Sequence, residues 1–153
     1  MTVTDLIKRH EGLRLLPYVD STGHRTIGYG HNLDADPLPS DTYEPDGSIT
    51  TEIAENVLAR DIGAARFPLL TNCQPWFGLL CDARQAVMID CVFNMGWATF
   101  GRFFHTIHFI ACGKYDDAAD QMLASLWAKE VGPRANEDAE MMKTGLWPDG
   151  SQS

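Results

Sequence analysis

HEGLRLLPYVDSTGHRTIGYGH, residues 10–31, sets two carboxylates, Glu11 and Asp20, among four glycines and two runs of β-forming residues. Just upstream, Val3, Leu6, Ile7 and His10 recur at three and four, the spacing of one helical face. Residues 3–11 are therefore predicted as a short amphipathic helix, with Thr2 as its N-cap and Gly12 as its left-handed stop. Glu11 then falls on the last turn. Beyond Gly12, LRLLPYVD and RTIGYG flank Ser21-Thr22-Gly23-His24 and read as a β-hairpin. In that hairpin Thr26 is expected across from Asp20, where its hydroxyl would help to orient a water.

Outward from the hairpin, Leu33 to Ser48 is rich in Pro, Asp and Gly and reads as a loop with a short third strand. From Thr50 the period becomes helical: Thr50 can cap, Glu52 suits a helix N-terminus, and Ala54, Leu58 and Ile62 repeat at four. Asp82-Ala-Arg-Gln85 resembles a capping arrangement for QAVMIDCVFNM, which is apolar nearly all round and predicts a buried central helix. GRFFHTIHFIACG, stopped by Gly113, and YDDAADQMLASLWAKE are each expected as one helix, and residues 134–142 as a short last one. The fold class expected is α+β, mainly α, in one domain of two lobes. The small lobe spans about 12–50 and carries the sheet, with helix 3–11 packing on the other lobe. A connecting helix covers about 50–66, a helical lobe about 67–147, and a polar tail 148–153.

The formal charge of −9 disfavours nucleic-acid binding through phosphate neutralisation. The acidity is local. Residues 1–34 are neutral, 35–61 carry −6 and 62–153 carry −3, so the opening stretch is not itself acidic. The start MTVTDLIKRHEG has too short an apolar run for a signal peptide, and no 18-residue apolar span follows. A cytoplasmic chain without stable membrane association is expected. Four cysteines (Cys73, Cys81, Cys91, Cys112) show no metal-ligand spacing. Cys91 and Cys112 lie in apolar helical patterns and are read as buried structural thiols. His105 and His108, on their apolar helix, are read as satisfied histidines rather than ligands. No metal or cofactor is called for.

Two carboxylates flanking a cleft can hydrolyse a glycosidic bond, one protonating the leaving oxygen and the other activating water. Glu11 at a helix C-terminus faces the negative end of the dipole, which disfavours its charged form. Asp20, before a turn of hydroxyls and amides, is placed to stay ionised. Such opposed environments are what an acid/base division of labour needs.

The pattern Glu-x8-Asp-x5-Thr in EGLRLLPYVDSTGHRTIGYGH resembles the active-site signature of the phage-type lysozymes of glycoside hydrolase family 24. AVMIDCVFNMG, the GRF helix start, the Asp-Ala-Ala helix with Leu126-Trp127, Pro133-Arg134-Ala135 and Thr144-Gly145-x-Trp147 resemble that family in the same order. The resemblance implies a monomeric endolysin cutting the β-1,4 bond between N-acetylmuramic acid and N-acetylglucosamine in peptidoglycan glycan strands, released to the wall by a separate holin. It makes Glu11 the general acid and Asp20, with Thr26, the holder of the attacking water. Inversion is expected, since that water needs room between carboxyls roughly 6.5–9.5 Å apart. It also implies that His31 pairs with Asp61, and that Arg134 either tunes Glu11 or bridges the lobes. Gly30, Asn32, Phe93, Asn94, Thr106 and Gln121 fall at substrate-binding positions; for Phe93 a plain core role is the alternative. Trp97 is read as core. A lytic transglycosylase needs only the one acid, so Asp20 and Thr26 argue against it. They argue equally against a wall-binding module without activity.

Overall fold

The computed structural model describes residues 1–152; Ser153, the end of the predicted polar tail, lies outside the described residues. Helix α1 (Val3–Glu11) precedes an antiparallel sheet of β1 (Arg14–Val19), β2 (Arg25–Gly28) and β3 (His31–Asn32), in that order across the sheet. The helices that follow are α2 (Thr51–Asn72), α3 (Asp82–Met95), α4 (Trp97–Phe100), α5 (Phe104–Ala111), α6 (Tyr115–Leu123), α7 (Leu126–Val131) and α8 (Pro133–Thr144). The chain thus adopts the α+β, mainly helical class expected. It divides into two compact units, Thr4–Ala64 and the remainder, with one boundary at the start of α1 and the other inside α2.

In the first unit, β2 turns Thr26, Ile27 and Gly28 inward while β1 stays half open to solvent. Register pairs Val19 with Arg25, Tyr18 with Thr26 and Arg14 with Gly28, and the ladder is irregular between Arg14 and Tyr18. The third strand is His31–Asn32, directly after the Tyr29-Gly30 turn, and not within residues 33–48 as the loop reading supposed. Two residues suffice because Thr26 pairs with Asn32 and Ile27 with His31. Leu6, Ile7, Ile27, Leu33, Ile49 and Leu58 are buried in this unit. Thr50 caps the start of α2 as expected, its hydroxyl accepting from Ile53 N at 3.2 Å. That helix continues through Pro68 to Asn72.

In the second unit α3 is buried almost all round, from Ala83 and Ala86 through Val92, as its sequence predicts. It packs on α4 and α8, and α6 packs on α5 and α8. The expected Asp82 cap is not formed. Cys81 takes the cap position without a side-chain bond, and the Gln85 amide reaches back to Leu80 O at 2.8 Å. The single helix expected over 115–130 is two. Ser125 ends α6 by donating to Met122 O at 2.6 Å, and starts α7 by accepting from Ala128 N at 3.1 Å. A serine that can serve both ends favours a break there. Among the described residues no helix is long and apolar enough to cross a membrane.

Candidate active site

Glu11 is the last residue of α1, whose final turn also carries Lys8, Arg9 and His10. Those basic residues sit at the helix end where the dipole favours cations, a compensation that the dipole reading of Glu11 leaves out. Lys8 is committed to Glu55 at 2.6 Å and lies 5.4 Å from the centre of the Tyr29 ring. Gly30 has φ +78°, and a Cβ placed on it would stand 2.6 Å from Glu11 Oε2 and 2.9 Å from its Cδ. Position 30 therefore touches the acid with bare backbone, and any side chain there would claim the carboxylate's space.

Asp20 sits at the head of the hairpin turn. Its Oδ1 accepts three hydrogen bonds: Thr22 N at 2.9 Å, Thr22 Oγ1 at 2.7 Å and His24 N at 2.9 Å. The His24 amide, then the Thr22 hydroxyl, hold the carboxyl below its ordinary pKa, so Asp20 is ionised at neutral pH. All three bonds end on one oxygen; among the described residues Oδ2 has no partner. Thr26 is buried and donates through Oγ1 to His24 O at 3.1 Å. It does not lie across from Asp20. The residue opposite it is Tyr18, and Asp20 instead closes the hairpin by donating from its N to His24 O at 2.9 Å.

Tyr18 is a part of this region that sequence reasoning missed. Burial first, then the negative charge of Glu11, raise its phenol above the ordinary value; Arg14 opposes them and Asp20 adds to them. One ring therefore senses both carboxylates. The Arg14 guanidinium lies 4.4 Å from the ring centre. The available signal was the strand period, since Tyr18 stands two residues from Asp20 on β1, opposite Thr26.

Deeper in the same unit, His31 Nδ1 is 2.7 Å from Asp61 Oδ2 and Nε2 is 2.7 Å from the Asp36 carbonyl oxygen. Burial lowers the imidazole, but the Asp61 hydrogen bond and charge together with the Asp36 carbonyl outweigh it, and the net shift is upward. His31, Asp36 and Asp61 are close enough together to suggest a cation site. The cation already there is Arg60, 2.7 Å from Asp36 Oδ2 and 3.6 Å from Asp61 Oδ1, and both imidazole nitrogens face oxygen acceptors. The donor set suits an ion-pair network and not a metal. Asn32 turns its Oδ1 to Asp34 N at 2.9 Å and Ala35 N at 3.1 Å, bracing the loop that follows β3.

The remaining candidates belong to the helical unit. Arg134 grips Asp90 with two prongs, Nε to Oδ2 at 2.9 Å and Nη2 to Oδ1 at 2.7 Å. Asp90 and Asp138 are both fully buried, and no donor reaches either oxygen of Asp138. Burial, then the charge of Asp90, push the Asp138 carboxyl well above its ordinary value. Asn94 Oδ1 accepts from Trp127 Nε1 at 2.8 Å, which ties its amide to packing, and Phe93 is half-buried. Thr106 and Gln121 line one pocket of about 230 Å³ together with Phe103, Phe104 and His105. Phe104 is 72% exposed, a large ring left open beside two hydrogen-bonding side chains. The apolar reading of α5 hid it, because only Thr106 and Ile110 of that helix are buried. For the same reason His105, His108 and Cys112 are exposed and not in the core. Trp97 is half-buried, edge-on to Phe100 with centroids 6.4 Å apart.

The phage lysozyme family model matches residues 8–140 of this chain. Similar proteins include the pre-baseplate central spike protein Gp5 of Enterobacteria phage T4, 26% identical over 95% of this chain. This chain spans 28% of that protein's length. A probable T4-type lysozyme 1 of Dictyostelium discoideum is 25% identical over 94% of this chain and 95% of its own. An endolysin of Acyrthosiphon pisum secondary endosymbiont phage 1 is 38% identical over 62% of this chain and 58% of its own.

Proposed function

Because this chain belongs to the phage lysozyme family, we propose that it is an endolysin, a glycoside hydrolase that cleaves the β-1,4 bond from N-acetylmuramic acid to N-acetylglucosamine in peptidoglycan. Glu11 protonates the glycosidic oxygen as the bond breaks. Asp20 Oδ2 takes the proton of a water that attacks the opposite face of the sugar, giving inversion. Thr26 orients that water, its hydroxyl oxygen accepting while its own proton is spent on His24 O.

The observation that carries this reading is the division within Asp20. Three donors on Oδ1 fix the carboxylate and keep it charged, while Oδ2 remains available as a base. Gly30, which leaves the room that Glu11 occupies, supports the other half of the assignment. Phe93, Asn94, Thr106 and Gln121 contribute to substrate binding, with Asn32 bracing its loop. The chain acts as a monomer on glycan strands, without nucleic acid or stable membrane association. It is made in the host cytoplasm and gains the wall through a holin.

The test is Glu11→Gln assayed by clearing of permeabilised Gram-negative cells. The amide keeps the shape and loses the transferable proton, so clearing falls by about 100-fold or more while the circular dichroism spectrum is unchanged. Near-native clearing by the folded variant would refute the assignment. Mass spectrometry of the wild-type products separates hydrolysis from transglycosylation, which leaves a 1,6-anhydro end.

A further inference from the structure

Outside every residue assigned to hydrolysis, the C-terminal turn of α5 presents a second arrangement of reactive side chains. His108 and Cys112 are four residues apart, on one face of the helix, and both are exposed. Their side chains point at each other, with Cys112 Sγ 3.7 Å from His108 Nε2. The backbone already closes this turn, Cys112 N donating to His108 O at 3.0 Å. Of the four free thiols Cys112 is the exposed one; Cys73 and Cys91 are buried and Cys81 is partly covered.

We propose that His108 and Cys112 form a two-residue chelate for a borderline-soft divalent cation of the zinc class. The first argument is the bite. A zinc ion binds thiolate at about 2.3 Å and imidazole nitrogen at about 2.0–2.1 Å, so a tetrahedral angle between them sets S and N about 3.6 Å apart. The side chains stand at that separation without rearrangement. The second is competition. Among the described residues neither His108 Nε2 nor Cys112 Sγ has another polar partner, so the pair gives up only its own weak S–H···N contact. The third is electrostatic. The C-terminal end of a helix favours positive charge and disfavours a bare thiolate. A dication at that end satisfies the helix and the sulfur together.

The step balances simply. The metal–sulfur bond forms as the Cys112 thiol releases its proton to solvent, the imidazole coordinates as the neutral base through Nε2, and water fills the remaining positions. Two protein ligands make this site weaker than a four-ligand structural zinc site. The chelate spans one helical turn, so loading it ties the end of α5 and raises Tm with the logarithm of metal concentration once that exceeds Kd.

The experiment uses the full chain, fully reduced, titrated with cobalt(II) as a spectroscopic probe and then with zinc. A thiolate-to-cobalt charge-transfer band in the near ultraviolet should appear, saturate at one metal per chain, be bleached by zinc, and be accompanied by proton release. Cys112→Ser should abolish it. His108→Gln should weaken binding at least as much as the roughly tenfold that loss of a mere outer ligand brings. Cys81→Ser should leave it unchanged. Absence of the band in wild type, its survival in Cys112→Ser, or unchanged affinity in His108→Gln would each overturn the chelate. Because the readout is absorbance, failure here leaves the hydrolase reading standing, and loss of activity in Glu11→Gln leaves the chelate untouched.

Discussion

Asp20 and Asp138 are the same chemical group in the two halves of the molecule, and their environments move them in opposite directions. Asp20 lies at an exposed turn and is held charged by three hydrogen bonds to one oxygen. Asp138 lies wholly inside the helical unit beside another carboxylate, with no donor on either oxygen, and its pKa is pushed well above the ordinary value. The difference is in the donors supplied by neighbouring backbone as much as in burial itself. Asp90 is as buried as Asp138, yet Arg134 gives it a two-pronged partner. Charge inside this protein is therefore favoured where amide and guanidinium protons are donated directly to a carboxylate oxygen.

Replacing the charged member tests the first half of that contrast. Asp20→Asn keeps an oxygen for the turn donors but removes the base, so wall-clearing activity should fall by about 10²–10⁴-fold with the fold retained. A folded Asp20→Asn that still clears sacculi at wild-type rate would reduce Asp20 to a turn cap. The buried member gives the reverse result. Asp138 keeps its proton in the folded state to higher pH than in the unfolded chain. The folded protein therefore binds more protons above the unfolded pKa near 3.9, and stability is lost as pH rises from there through the folded pKa. Asp138→Asn removes that loss. It should be more stable than wild type above about pH 4, with the gap widening by up to about 1.4 kcal/mol per pH unit. Urea unfolding at several pH values reads this directly, and a gap independent of pH would mean Asp138 is charged in the fold.

His31 sharpens the comparison, because it is a buried group that does find its counter-charge. Its folded pKa is raised, so the stabilisation is fully present below the unfolded value near 6.5 and fades as pH climbs through the folded one. His31→Asn should cost about 1.5–3 kcal/mol at pH 6, the range of a hydrogen bond to a charged group, and less at pH 9. Clearing activity per folded molecule should hardly change. A cost that stays constant from pH 5 to pH 10 would remove the ion pair with Asp61 from the account.

The hairpin was legible in sequence because its information is local: alternating β-formers, a turn of Ser-Thr-Gly-His, and glycines at both ends. The environment of Asp20 was legible for the same reason, its donors lying two and four residues away. What escaped depends on faces and not on neighbours. Pro133 to Thr144 looks like a charged surface helix, yet Ala135, Asp138, Ala139 and Met142 are buried at helical spacing, which carries an aspartate inward. The reverse happened on α5. FHTIHFIA is apolar enough to pass for core, but most of its ring-bearing side chains stay partly or fully in water. Composition names the helix; only its partners decide which residues are inside. The β3 position and the break at Ser125 were missed for a smaller reason, since two-residue strands and one-residue interruptions fall below the length over which periodicity can be read.

Gly30 carries a lesson for anyone who maps this protein by saturation mutagenesis. It supplies no acid, base or hydrogen-bonding side chain; it contributes the room beside Glu11 Oε2 and a backbone φ of +78° that other residues rarely adopt. In a tolerance map scored by lysis it should nevertheless be as intolerant as the acid itself, since every larger residue would displace the carboxyl. A ranking built on phenotype alone would enter it among the chemical groups. Pairing the lysis score with abundance would show a folded, inert protein at position 30, the signature of a residue selected for what it lacks.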